Sequence, residues 1–329
     1  MLNDWTKMSL KYSAIAASLA LIAACGVQVE GDEGNLTFHY IDSGWPQSAS
    51  TTDIAKGAQV DVRVSDAREE DDTTSLELIE AYSDDAQTLE VAAERDEEFQ
   101  LAAHEESAGD GTRIHAEAYD ADGEAISDST TLRTAGVDDV AVDHLCDDEV
   151  YLAESTVEFG YDMMDAAGDD LTGYGYYPLS IEPESAGEID EGIGRLEVIE
   201  IETGDEAGTH DIVSDLDDEV VQEFELLASE DIDDIEFHAD HEERESSLDV
   251  GESGPAMLFS LLSDDRTVCG AKSSAIELVS NTPDTCEVDY GTYRTLHLAE
   301  VEGLEAGECE IELSIPDTEI SETMTIDIE

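Results

Sequence analysis

Apolar residues in this chain recur at every second position. Val60-Asp61-Val62-Arg63-Val64 sets three valines on one face, and Val157-Glu158-Phe159-Gly160-Tyr161-Asp162-Met163 does the same with larger side chains. Glu310-Ile311-Glu312-Leu313-Ser314-Ile315 and Met324-Thr325-Ile326-Asp327-Ile328 repeat the pattern near the end. Successive side chains of a strand point to opposite faces, so each run predicts a half-buried strand with its acids toward water. Turn signals such as Asp120-Ala121-Asp122-Gly123 and Ala167-Gly168-Asp169-Asp170 punctuate the strands. No comparably long run at helical spacing carries an apolar stripe. The pattern predicts an all-β chain.

Sliding the chain against itself by ~95 residues, the period of a repeat array, lays Val137-Asp138-Asp139-Val140 on Ile232-Asp233-Asp234-Ile235. The same shift lays Asp169-Asp170-Leu171-Thr172 on Asp264-Asp265-Arg266-Thr267 and Gly175 on Gly270. After a short insertion, Glu188-Ile189-Asp190 meets Glu287-Val288-Asp289 and Glu206-Ala207-Gly208 meets Glu305-Ala306-Gly307. The first hundred residues match less closely but share the ending, with Gly111-Thr112-Arg113-Ile114 resembling Gly208-Thr209-His210-Asp211-Ile212. Three tandem domains are expected, at 35–135, 136–231 and 232–329, after a Gly-rich tether at 25–34.

Ahead of the tether, Lys7 and Lys11 precede a weakly apolar stretch from Ala14 to Ala24. A basic start, a short apolar run and small residues at its end make residues 1–24 a secretory signal peptide. The stretch is too short to span a bilayer, which takes ~20 residues. Met8 offers an alternative start to Met1. Leu21-Ile22-Ala23-Ala24-Cys25-Gly26 resembles the lipobox of bacterial lipoproteins, which implies that Cys25 is lipidated and anchors the mature chain in the cell envelope. Gly26 in place of an aspartate implies the outer membrane, since in some Gram-negative bacteria an aspartate there signals inner-membrane retention.

Charge narrows the partners. The chain carries 86 acidic against 13 basic residues, a formal net of −73. A basic patch for nucleic acid is therefore not expected. The acid is spread along the whole mature sequence, which fits a surface kept soluble in concentrated salt, where charges are screened within ~3 Å at 1 M.

Catalytic motifs are lacking: there is no Gly-x-Ser-x-Gly and no His-Glu-x-x-His. His238-Ala239-Asp240-His241-Glu242-Glu243 is the closest metal-like cluster, but on a strand positions 238 and 241 face opposite ways. Calcium, which takes hard oxygen ligands, is the cofactor to consider, with Asp120, Asp122, Glu124 and Asp215, Asp217, Asp218 as candidate ligands in matching turns. The competing reading is that a chain this acidic places aspartate in every turn. No cofactor is required by the sequence.

Short strands with turns every eight to twelve residues over ~95-residue units give the profile of an immunoglobulin-like sandwich. Tyr161 to Gly173 resembles the B strand and B–C turn of bacterial Ig-like repeats, and Gly208 and Gly307 resemble the openings of strand F. That resemblance implies two disulfides. Cys286 opens strand D and Cys309 opens strand F at one end of the last domain, so they would pair. Cys146 follows strand A of the second domain and Cys269 lies in the B–C turn of the third, so this pair would staple the junction, with free thiols or other pairings as the alternatives.

The family has no single activity. The expected function is a non-catalytic, lipid-anchored spacer or interaction module with an unknown protein or glycan partner. A calcium-stabilised adhesin or ligand-binding surface protein is the alternative, and a carbohydrate-active enzyme comes third.

Overall fold

The computed structural model describes residues 28–41, 51–68, 76–95, 97–109, 111–190, 195–237, 247–270, 272, 275–293, 296–316, 318 and 320–329. Among them the chain is all β, interrupted only by 3-10 turns at Glu184–Ala186 and Ser229–Asp231. No described helix is long and apolar enough to cross a membrane. The chain divides into two compact units, one of Met1–Val140, Asp162–Tyr177 and Glu191–Glu197, the other of Ala141–Tyr161, Pro178–Asp190 and Val198–Glu329.

The first unit contains β1 (Gln28–Glu30), β2 (Leu36–Ile41), β3 (Ile54–Ala55), β4 (Gln59–Asp66), β5 (Glu77–Ser83), β6 (Leu89–Glu94), β7 (Glu98–Ala103), β8 (Thr112–Tyr119), β9 (Ala125–Leu132) and β10 (Thr134–Ala135). One sheet runs β1-β2-β4-β7-β6, a second runs β5-β8-β9, and β3 pairs β10 in parallel. The sheets close on a single core that includes Phe38, Val60, Val62, Val64, Phe99, Leu101, Ile114 and Leu132. Period two places the three valines of β4 inward, as expected. It fails at Asp61, expected to face water but 5% exposed, because Tyr174 from far along the chain covers it.

Onward in the chain come β11 (Asp139–His144), β12 (Val150–Leu152), β13 (Thr156–Met164), β14 (Asp170–Leu171), β15 (Leu179–Glu182), β16 (Gly187–Ile189), β17 (Val198–Thr203), β18 (Gly208–Ser214) and β19 (Val220–Leu227). They are followed by β20 (Asp234–Phe237), β21 (Ser247–Leu248), β22 (Ser253–Ser263), β23 (Arg266–Cys269), β24 (Glu277–Ser280), β25 (Cys286–Tyr293), β26 (Leu296–Gly303), β27 (Gly307–Ser314) and β28 (Ser321–Ile328). In the second unit one sheet runs without a break through β15-β18-β19-β12-β23-β22-β26-β25, with β20 beside β22. Another runs β21-β28-β27-β24. Its cores are an aromatic cluster, with the Tyr151 and Phe159 rings 4.7 Å apart and those of Phe159 and Phe224 5.6 Å apart, and two aliphatic clusters around Phe259 and around Ile311.

One strand order occurs three times. β2-β4-β7-β6 faces β5-β8-β9 with β3 on β10, β11-β13-β17-β16 faces β15-β18-β19-β12, and β20-β22-β26-β25 faces β24-β27-β28-β21. Read in chain order, each is A-B-E-D against C-F-G, with a split first strand whose second half joins G. That is the immunoglobulin-like sandwich. The repeat extends to single bonds: Asp138 N–H donates to Met164 O and Asp233 N–H to Leu262 O, each at 2.9 Å. Through the B–C segment the alignment shifts by two, so that Gly173 rather than Gly175 matches Gly270 and Thr172 matches Cys269 rather than Thr267. Gly173 and Gly270 have φ of +131° and +128° and sit against matching residues, Ala58 and Ser155, between the split first strand and the strand that follows it.

Candidate functional site

For a chain of tandem sandwiches, the chemistry that matters is how one repeat is held to the next. In the first unit, β3 is paired on both edges. Thr134 and Ala135 lie in register with Ile54 and Ala55 on one side. On the other, Thr172 N–H donates to Asp53 O at 2.7 Å and Ala55 N–H to Thr172 O at 2.9 Å. Gln59 and Tyr174 then exchange N–H···O bonds of 2.9 Å each. Gly173 permits this approach, because a Cβ there would lie 2.6 Å from Ala58 Cβ. Backbone groups buried at such a contact need partners, and these supply each other's.

Side chains reinforce the contact. Arg133 bridges Asp53, at 2.5 Å, and Asp165. The Arg133 guanidinium, with the N–H groups of Asp169 and Ala167, holds the Asp165 carboxyl below the usual carboxylate range. The Tyr174 hydroxyl donates to Asp61 Oδ2 at 2.9 Å, and Gln100 Nε2 donates to that hydroxyl at 2.8 Å. Burial pushes Asp61 up, opposed by the Tyr174 bond.

The second unit builds the same contact around β12, which pairs β19 and β23, both in parallel (Tyr151 opposite Leu226 and Cys269). Gly270 rests against Ser155 and Val157 as Gly173 rests against Ala58 and Gln59. Tyr151 joins the aromatic cluster while Val150 and Leu152 join the cluster of Phe259 and Val268, so one strand serves two cores. Arg266 pairs with Glu225 at 2.6 Å, Thr267 N–H donates to Asp148 Oδ2 at 2.6 Å, and Lys272 Nζ reaches Glu154 at 3.0 Å. Here a disulfide is added: Cys146 and Cys269 are bonded, Cα atoms 6.0 Å apart. Cys269 stands where the first contact has Thr172. The second bond, Cys286–Cys309, joins β25 to β27 with Cα atoms 5.7 Å apart.

The turn acids make local hydrogen bonds. Asp120 Oδ1 accepts from the N–H groups of Asp122 (3.1 Å) and Glu124 (2.9 Å), and its Oδ2 faces Arg68 at 3.2 Å. Asp122 and Glu124 contribute backbone, not carboxylate, to that turn. Asp215 Oδ1 accepts from Ser180, Asp217 Oδ1 from Glu219 N–H, and Asp218 has a φ of +61°. Neither turn gathers its carboxylates, and among the described residues no group of three or more His, Cys, Asp or Glu is placed to hold a metal. Cys25, most of the tether and His238 to Glu243 lie outside the described residues. A cleft of about 440 Å³ opens beside Lys56, Gln59, His104 and Tyr176, and Glu106 is the one carboxylate lining it.

Sequence reading missed Arg133, Tyr174 and Lys272. The signal available was scarcity: in a chain with 13 bases, Arg63, Arg68, Arg95, Arg113, Arg133, Arg266 and Lys272 each face an acid.

No protein-family model matches the chain, and no curated protein matches it. Among solved structures, it is similar to the Escherichia coli adhesin FdeC at 12% identity and a TM-score of 0.26, covering 92% of this chain and 99% of that one. It is also similar to the surface-layer protein SbsC, domains 4–9, at 11% identity and a TM-score of 0.25, over 91% of this chain and 48% of that one. Invasin, a bacterial integrin-binding protein, gives 11% identity and a TM-score of 0.25 over 89% and 60%. The immunoglobulin-like assignment rests on the strand order above, not on these likenesses.

Proposed function

We propose that this chain is a non-catalytic, lipid-anchored cell-envelope protein whose three immunoglobulin-like domains, 35–135, 136–231 and 232–329, act as a spacer or interaction module. The observation that carries the reading is the paired first strand. At β3 and at β12 the backbone of one repeat is hydrogen-bonded to a segment of the next, and at β12 a disulfide is added. Linkers between independent domains are ordinarily exposed and poorly bonded. Strand pairing instead makes neighbouring repeats resist bending, which is what a spacer needs. The acidic surface suits a saline exterior, and acylated Cys25 provides the anchor at the outer membrane, stable because the lipoprotein cysteine carries more than one chain. Labelled palmitate should enter the wild-type chain and not Cys25→Ser, and Cys25→Ser should leave the membrane fraction. Equal labelling of both, or a membrane fraction unaffected by the substitution, would sink the anchored reading.

A further inference from the structure

The third repeat has the same split first strand, and among the described residues no strand lies along one of its edges. β21 pairs β28 in parallel, with Leu248 opposite Ile328, just as β3 pairs β10 and β12 pairs β19. The correspondence reaches the individual bond: Lys56 N–H donates to Ala135 O, Ala153 N–H to Leu227 O, and Val250 N–H to Glu329 O. In the first repeat the next residue back, Ala55, turns its N–H to the other edge and gives it to Thr172. Its counterpart in the third repeat is Asp249, whose N–H meets no acceptor among the described residues. Among the described residues β21 is the end strand of its sheet. Leu248 packs toward its own core, while Asp249 is exposed and Val250 is 48% exposed. At the earlier contacts the counterparts of Asp249, Ala55 and Leu152, are both 0% exposed; of the counterparts of Val250, Ala153 is 3% exposed while Lys56 is exposed.

We infer that the β21 edge is a docking site for a parallel extended strand from another protein's β-sandwich repeat, and that the strand it selects is basic. The pairing geometry follows from its two filled precedents in this chain, since an unpaired edge is a template for a strand. The charge preference follows from what surrounds it. Asp249, Glu252, Asp327 and Glu329 are exposed there, whereas Arg133 at the first contact and Lys272 at the second supply a base from this chain. Asp249 therefore disfavours a strand led by acids like Asp169-Asp170 or Asp264-Asp265, and in a second copy both of those segments are already paired, to β3 and to β12. A partner that brings the missing base is favoured. The inference rests on strand order and stands whether or not Cys25 is acylated.

Two synthetic peptides test it against the full chain by hydrogen exchange. One carries residues 264–272 with Cys269→Thr, and the other adds Asp264→Lys and Asp265→Lys. The lysine peptide at millimolar concentration should slow exchange across 248–252. It should act at about tenfold lower concentration than the acidic peptide, the factor that one charge pair supplies. Asp249→Asn should shrink that ratio while leaving the exposed strand folded. No protection by either peptide overturns the docking edge. Equal protection by both overturns the basic preference, and protection confined to other segments overturns the site.

Discussion

The Tyr174 hydroxyl donates a 2.9 Å hydrogen bond to Asp61, a carboxylate 5% exposed on a strand whose neighbours Val60 and Val62 are fully buried. Burial raises the Asp61 pKa above its ordinary value, so ionising it costs the folded state, and stability falls as pH rises through the folded pKa. Tyr174 opposes that cost by bonding the charged form. Tyr174→Phe should therefore lower stability by ~1.5–3 kcal/mol at pH 7, the worth of a hydrogen bond to a charged group, and by less where Asp61 is protonated. Asp61→Asn should remove the pH dependence of that difference. Urea midpoints of the four chains at two pH values check both statements.

The same pair shows where sequence reading stops. Period two located β4, β13, β27 and β28 because each strand's own residues decide which face is apolar. It put Asp61 in water because nothing within the strand reports a tyrosine 113 residues away. The turn acids carry a different ambiguity: an aspartate that caps its own turn, as Asp120 does, has the same local sequence as a ligand. The repeat itself was legible, but a shift of ~95 placed Gly175 on Gly270. Only the backbone shows that φ near +130° and the contact just past the split strand belong to Gly173.

The two disulfides close loops of very different length, with sequence separations of 123 and 23. In the chain-entropy account these correspond to about 4.9 and about 3.4 kcal/mol removed from the unfolded state's freedom. Cys146→Ser with Cys269→Ser should thus cost roughly 1.5 kcal/mol more than Cys286→Ser with Cys309→Ser. Urea unfolding without reductant measures the ranking. Non-reduced peptide mapping that linked Cys146 to Cys286 or Cys309 would remove its basis.

His297 is buried at 1% exposure, its Nδ1 2.8 Å from the Tyr290 hydroxyl, its Nε2 without a partner among the described residues, and its ring stacked 5.3 Å from Phe259. Burial lowers its pKa from 6.5 to about 4, and pushes the Tyr290 phenol up to about 12. A depressed pKa contributes stability that is whole above 6.5 and drains away as pH falls toward 4. The drop is about 3 kcal/mol between those limits. His297→Leu should flatten that part of the pH–stability curve relative to wild type. NMR titration of the imidazole places the pKa directly, and a value near 6.5 would contradict the burial argument.

Gly173 and Gly270 occupy matching places, and each should resist a side chain for two reasons. At φ of +131° and +128° an L residue is strained, and the added Cβ would press on Ala58 and Gln59 in one case and on Ser155 and Val157 in the other. Gly173→Ala and Gly270→Ala should each cost about 2–4 kcal/mol, strain and overpacking together. Gly123→Ala is the control: its φ is +78° and nothing stands within 4 Å of the new methyl, so only the conformational cost of ~1 kcal/mol applies. Stability alone would not show that the strand contact is what suffers. In Gly173→Ala the amide of Ala55, bonded to Thr172 O in the native chain, should exchange faster while that of Ile54, bonded to Arg133 O, keeps its protection. If both amides loosen together, the glycine serves the fold of the unit as a whole. If Ala55 alone loosens, its service is to the contact between one repeat and the next.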